Sequence, residues 1–423
     1  MSQAAQRLSS EEFFGQPEGP VGVVLAGAGA RGAFEAGYLA TLLRADPPVF
    51  DFHGDLRPSI YVGTSAGAIN AVLFASLAHL SPDEMANEAL KRWGAVTKSR
   101  VLAPVITSFP VALARYVAGL VGVGDGPKAL FDTAPLAASL NDPDLIDWVQ
   151  LHTNVRQGVV DVVAVVTTEF GSGRTKVFFE TSRSGSEWQK IASDANQAID
   201  YVRTELGPEH IQASAAIPLA FSPVRLGPKK TATWHMDGGV RLNAPLKPAL
   251  RFGANALVVI ATDPSRSGTS AEADWRAAAP AMQEAMLQVM RGAMTDRMVQ
   301  DVRELLRRNE LIAAGGDRTK RIGREQNKIV HLIFGGTGTA EDVGGIAAEV
   351  LPGILNGVRR FAHLDLALLY FLLSTDAETR PNLLSYLLFE PEFIESAIDL
   401  GVKHAMNLLT EHPKDPWRSK PSD

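Results

Sequence analysis

Short runs that are apolar at nearly every position alternate with glycine turns and helical stretches through the start of the chain. Val21 to Ala26 (VGVVLA) has the composition of a parallel strand covered on both faces. Gly27 to Gly32 (GAGARG) interrupts it, and Ala33 to Arg44 reads as a helix. Ser59 to Val62 is a second short strand entering Gly63 to Gly67 (GTSAG), with a helix following to about Ala78. Strand, glycine turn and helix thus occur twice in succession. That repetition predicts an α/β fold, a mostly parallel central sheet sandwiched by helices.

Later segments extend the pattern. Val159 to Thr168 and Lys176 to Glu180 read as two strands of a hairpin around Gly171-Ser172-Gly173. Ala256 to Thr262 and Lys328 to Phe334 are further buried-strand candidates. Asp274 to about Ala314, Leu364 to Leu373 and Ser385 to Leu409 read as helical, which makes the C-terminal region α-rich. The expected organisation is a polar lead over residues 1–20, an α/β domain over 21–264, and a mainly helical region over 265–423. The strand at 328–334 is expected to join the core sheet, and Ser265 to Ala273 is the best candidate for a flexible connection. The closing HPKDPWRSKPSD reads as a disordered tail.

Composition narrows the function classes. The 423 residues carry 41 Lys plus Arg against 47 Asp plus Glu, a net charge of −6, and no cysteine. Disulfides, Cys-ligated zinc and thiol nucleophiles are excluded, and the composition suits a cytoplasmic protein. A pI near 5.9 argues against a nucleic-acid partner. The first 20 residues lack a signal-peptide core. Val101 to Val123 comes nearest to a membrane span, but Pro104, Pro110 and Arg115 interrupt it. No HExxH motif, calcium loop or His/Asp cluster with ligand spacing is visible, so no metal and no cofactor is expected. Met282, Met286, Met290 and Met294 share one helical face, a spacing more typical of adaptable core than of a ligand box.

Two glycine turns carry candidate chemistry. Gly63-Thr64-Ser65-Ala66-Gly67 between strand and helix places Ser65 on a sharp turn with its hydroxyl above the sheet edge. The bland reading is a serine that merely begins a helix. Gly27-Ala28-Gly29-Ala30-Arg31-Gly32 fits a dinucleotide-binding turn, hence a nucleotide-binding oxidoreductase, but only weakly. Asp46 has roughly the spacing of the required acid, yet it precedes Pro47-Pro48 and ends no strand. The same turn also fits an oxyanion hole of backbone amides. Arg31 then braces the loop, meets an anionic head group, or is an ordinary exposed helix-start arginine. His235-Met236-Asp237-Gly238-Gly239, followed by Asn243-Ala244-Pro245, is a third element, which in isolation is most simply a turn.

Taken together and in this order, the three motifs resemble those of the patatin-like phospholipase family. Ala213-Ser214-Ala215-Ala216-Ile217-Pro218 with Phe221-Ser222-Pro223 resembles a fourth family stretch, and the similarity runs from about residue 21 to 262. Ala28 departs from the family's usual glycine. The resemblance implies a three-layer α/β domain over 21–264 and a Ser–Asp dyad without histidine. Ser65 would attack an ester carbonyl, Asp237 would take its proton, and the 27–32 loop would hold the oxyanion. It implies a lipid or phospholipid substrate, hydrolysis of the phospholipase A or lysophospholipase type, and peripheral contact with membranes. A non-catalytic lipid-binding member of the family stays open as an alternative. So does a Ser-His-Asp triad using His235 or His331. Val101 to Val123 either lines an acyl groove, rests on lipid, or forms a pair of buried helices.

Overall fold

The computed structural model describes residues 17–103, 131–185, 198–218, 220–264, 296–315, 328–337, 343–355, 384–413 and 415–417, with a few single positions between them. The methionine stripe, Leu364 to Leu373, the 265–273 connection and Val101 to Val123 beyond Ala103 lie outside the described residues.

Apolar runs become interior strands. They are β1 (Val21–Leu25), β2 (Pro58–Thr64), β3 (Val162–Glu169), β4 (Thr175–Glu180), β5 (Ser193–Asp194), β6 (Ile199–Arg203), β7 (Val224–Leu226), β8 (Thr233–Asp237), β9 (Ala256–Pro264) and β10 (His331–Thr337). The helices that bear on the site are α1 (Gly32–Leu43), α2 (Ala66–Leu77), α3 (Pro82–Gly94), α4 (Pro208–Ser214), α5 (Leu246–Arg251), α6 (Asp296–Gly315), α7 (Val343–Leu355) and α8 (Pro391–Glu411).

Among the described residues the sheet runs β10-β9-β1-β2-β3-β4-β6-β5. The five strands from β10 to β3 are mutually parallel, while β4 turns back antiparallel on β3 as the hairpin pattern predicts. One apolar cluster, from α1, α2, α3, α7 and α8, covers one face of this sheet. A second, from α5 and α6, covers the other, so the fold is the expected three-layer sandwich. The strand expected at 328–334 begins at His331 and runs to Thr337, and it closes the sheet beside β9.

The C-terminal helix expected from Ser385 begins instead at Pro391. Proline is favoured at the first turn of a helix but breaks an interior, so residues 384–390 stand apart as a separate strap. Behind it, α8 lies close against α1. A Cβ on Gly37 would come 2.3 Å from the Ile398 carbonyl oxygen, and one on Gly401 would come 2.2 Å from that of Phe34. Only glycines permit this approach.

Candidate active site

Register brings the elbow at Ser65 and the Asp237 motif together. Along one edge of β3, Val166 pairs with Thr64 at the end of β2, and the next residue, Thr167, pairs with Asp237 at the end of β8. β8 therefore takes over β3's edge where β2 leaves it. The chain departing β2 at Ser65 meets the chain finishing β8 at Asp237. Sequence spacing could not reveal this, because the two strands join through β3 rather than through each other.

Ser65 sits in a strained turn, with φ 55° and ψ −124°. Such a conformation costs a non-glycine residue about 1–3 kcal/mol and persists only where its surroundings impose it. Here they do. A Cβ on Gly63 would lie 2.1 Å from the Gly67 oxygen, and one on Gly67 would lie 2.3 Å from the Leu25 oxygen. Thr64 Oγ1 donates to the Leu242 carbonyl at 3.0 Å. The Ser65 amide donates to Ser214 Oγ at 2.8 Å, and that hydroxyl donates onward to the Val166 carbonyl at 2.6 Å. Ala66 opens α2 directly behind the serine. Ser214 was visible only as part of a family-like stretch, and its role as a clamp on the elbow is a product of the fold.

Asp237 is fully buried. Its Oδ1 accepts the Gly239 amide at 2.7 Å, and Gly238 presses so close to β3 that a Cβ there would meet the Val166 oxygen at 2.4 Å. Among the described residues, Asp237 Oδ2 has no hydrogen-bond partner. Burial pushes the carboxyl up to about 6, against lowering effects from the Ser65 hydroxyl and the Gly239 amide. The Ser65 hydroxyl thus acts on this carboxyl.

The glycine loop lies against the elbow, with a Cβ on Gly27 coming 3.2 Å from Ser65 Cβ. Asn243, from the stretch after Asp237, accepts the Gly27 amide through Oδ1 at 3.0 Å. The Ala30 amide donates to the Tyr386 carbonyl at 3.0 Å. Among the described residues, the amides of Ala28 and Gly29 make no hydrogen bond. Beneath the loop, the buried Glu35 accepts the Ala26 amide and Asn70 Nδ2, both at 2.9 Å, while Asn70 also donates to the Gly32 carbonyl and accepts Trp93 Nε1. Desolvation raises the Glu35 carboxyl well above the usual range.

Arg31 is neither exposed nor free to meet a head group. It is 2 % exposed, donates to Ser385 Oγ at 2.7 Å, and lies 4.0 Å from the centroid of the Tyr386 ring. This is the bracing reading, with a brace supplied by the strap.

Neither histidine completes a triad. His235 is held by Thr167 Oγ1 at Nδ1 and Thr233 Oγ1 at Nε2, both at 2.9 Å, and burial pulls it down to about 4. His331 aligns with Ala256 and, through it, with Val21 and Pro58 at the start of the parallel strands. A strand of seven residues separates that edge from Ser65, about 20 Å. The dinucleotide alternative fails on its own requirement, because β2 ends in Thr64 and Asp46 lies in the connection after α1. Among the described residues no group of acidic or histidine side chains could hold a metal ion.

A narrow apolar cavity of about 50 Å³ opens on Ser65, walled by Leu73, Trp93, Ile217, Phe221, Leu387 and Phe389. No helix among the described residues is long and apolar enough to cross a membrane.

The three-layer α/β sandwich with a glycine loop and a strand-to-helix elbow is a fold class shared with known lipid hydrolase families, and sequence comparison identifies which one. The family model described as patatin-like phospholipase matches residues 23–250, more than half the chain, and the chain belongs to that family. Among solved structures, VipD from Legionella pneumophila aligns over 92 % of this chain and 68 % of its own, at 12 % identity and a TM-score of 0.26. No curated relative matches the chain.

Proposed function

We propose that this protein is a serine-dependent lipid acyl hydrolase, of the phospholipase A or lysophospholipase type, working through Ser65 and Asp237. The observation that carries the reading is the buried, partnerless Oδ2 of Asp237 beside a serine held in a strained elbow. Asp237 accepts the proton of the Ser65 hydroxyl as Oγ bonds to the ester carbonyl carbon. The amides of Ala28 and Gly29 receive the negative charge that develops on the carbonyl oxygen. One such donor contributes about 3 kcal/mol to the transition state. Collapse of the tetrahedral intermediate expels the alcohol, to which Asp237 returns the proton. Water, deprotonated by the same carboxylate, then releases the fatty acid and restores Ser65.

The apolar cavity suits an acyl chain, and its small volume requires the walls to part on entry. A fluorophosphonate probe tests the reading. Covalent labelling of the wild-type protein, lost in Ser65→Ala, is the expected outcome. An unlabelled wild type, or labelling that survives in the variant, overturns it.

A further inference from the structure

Phe170 and Trp234 are large apolar side chains left in water, 64 % and 47 % exposed. They are neighbours by register. Glu169 pairs with His235, and the Phe170 amide donates to the Trp234 carbonyl at 2.8 Å, which places the two rings across from each other on adjoining strands. The β7–β8 turn beyond them carries Lys229 and Lys230, with Arg225 opposite Trp234 on β7. All three cations are exposed and make no ion pair among the described residues. The nearby carboxylates are already committed, Glu169 to Lys176 at 3.6 Å and Asp200 to Arg174 at 2.7 Å and Lys176 at 2.9 Å.

The position of this patch matters as much as its chemistry. β8 runs inward to Asp237, so Trp234, three residues earlier, stands about 10 Å outside the carboxyl, beyond the sheet edge that bears Ser65. The other arm, β7, follows directly from Phe221, which walls the apolar cavity. The hairpin is thus continuous at one end with the candidate base and at the other with the candidate acyl site.

We propose that the β7–β8 hairpin and the Phe170 loop form the surface by which this protein docks on an anionic phospholipid bilayer. Trp and Phe rings settle at the headgroup boundary. Lysines near an anionic leaflet add electrostatic attraction that salt screens. The local cations outweigh the unfavourable net charge of −6, because screening over about 8–10 Å hides the rest of the molecule from the lipid. The proposal rests on the lipid hydrolase reading for its purpose, but its test is separate.

The test is sedimentation of the full chain with phosphatidylglycerol-rich and with pure phosphatidylcholine vesicles, alongside turnover of a soluble short-chain ester without vesicles. The expected result is wild-type binding to the anionic vesicles. That binding falls about tenfold or more in Phe170→Ser/Trp234→Ser and in Lys229→Glu/Lys230→Glu, with soluble-ester turnover unchanged. Wild type that ignores both vesicle types, or variants that bind like wild type, overturns the proposal. Vesicle binding by a wild type that turns over no ester supports the docking surface and overturns the hydrolase reading instead.

Discussion

Burial removes the water that would stabilise the charge of Asp237 and pushes its carboxyl up from 3.8 to about 6. Two consequences follow at this residue. As a base it must be ionised, so kcat/KM for a soluble ester is expected to rise with pH through about 6 and then level. The same shift acts on stability with the opposite sign. Below about 4 the group is protonated folded or unfolded; between there and about 6 only the folded state keeps the proton, so stability falls as pH rises, by on the order of 3 kcal/mol. Asp237→Asn is expected to abolish turnover and to escape that loss. Its melting temperature relative to wild type should therefore climb between pH 4 and pH 8, and a constant difference across that range would contradict the account. The pair of residues was legible as motif types alone. His235 reads more readily as a core-satisfied histidine than as a triad member, but the two threonine hydroxyls that satisfy it, one of them on another strand, were not legible.

Elements were legible where burial is complete and hidden where it is shared. β1, β2, β3 and β9 stand out because both faces are covered and a continuous apolar run fills the middle of each. The strap at 384–390 did not, because its apolar residues continue the periodicity of the helix that follows; Pro391 alone marks the boundary. For Arg31, bracing was one of the readings the sequence left open, but its burial and its partner some 354 residues away were not legible. The α1–α8 contact yields a prediction at this scale. Gly401→Ala gains about 1 kcal/mol of helix propensity. Against it stands a 2.2 Å approach to the Phe34 carbonyl, a backbone atom that no rotamer change can move. The clash wins, and thermal melts should show a fall of a few degrees despite the better helix former.

The whole molecule joins regions that the sequence presents as separate. The family match stops at residue 250, yet β10 closes the sheet beside β9, and α8 fills the face of α1. That β10 joins the sheet was legible from its buried-strand composition, but its place beside β9 and the packing of α8 on α1 were not, because sheet order and helix packing leave no periodic trace. A chain ended at residue 383 loses the strap and α8 and leaves the buried face of α1 in water. Such an exposed apolar surface is expected to aggregate, so soluble expression of that truncation at wild-type yield would show that the remainder folds alone.

The Tyr386 carbonyl that accepts the Ala30 amide also sets a schedule. Ribosomes extend chains at about 5–20 residues per second, so at least about 20 seconds separate the emergence of the glycine loop from that of its partner. A nascent chain carries its serine and its acid long before the loop over them is braced.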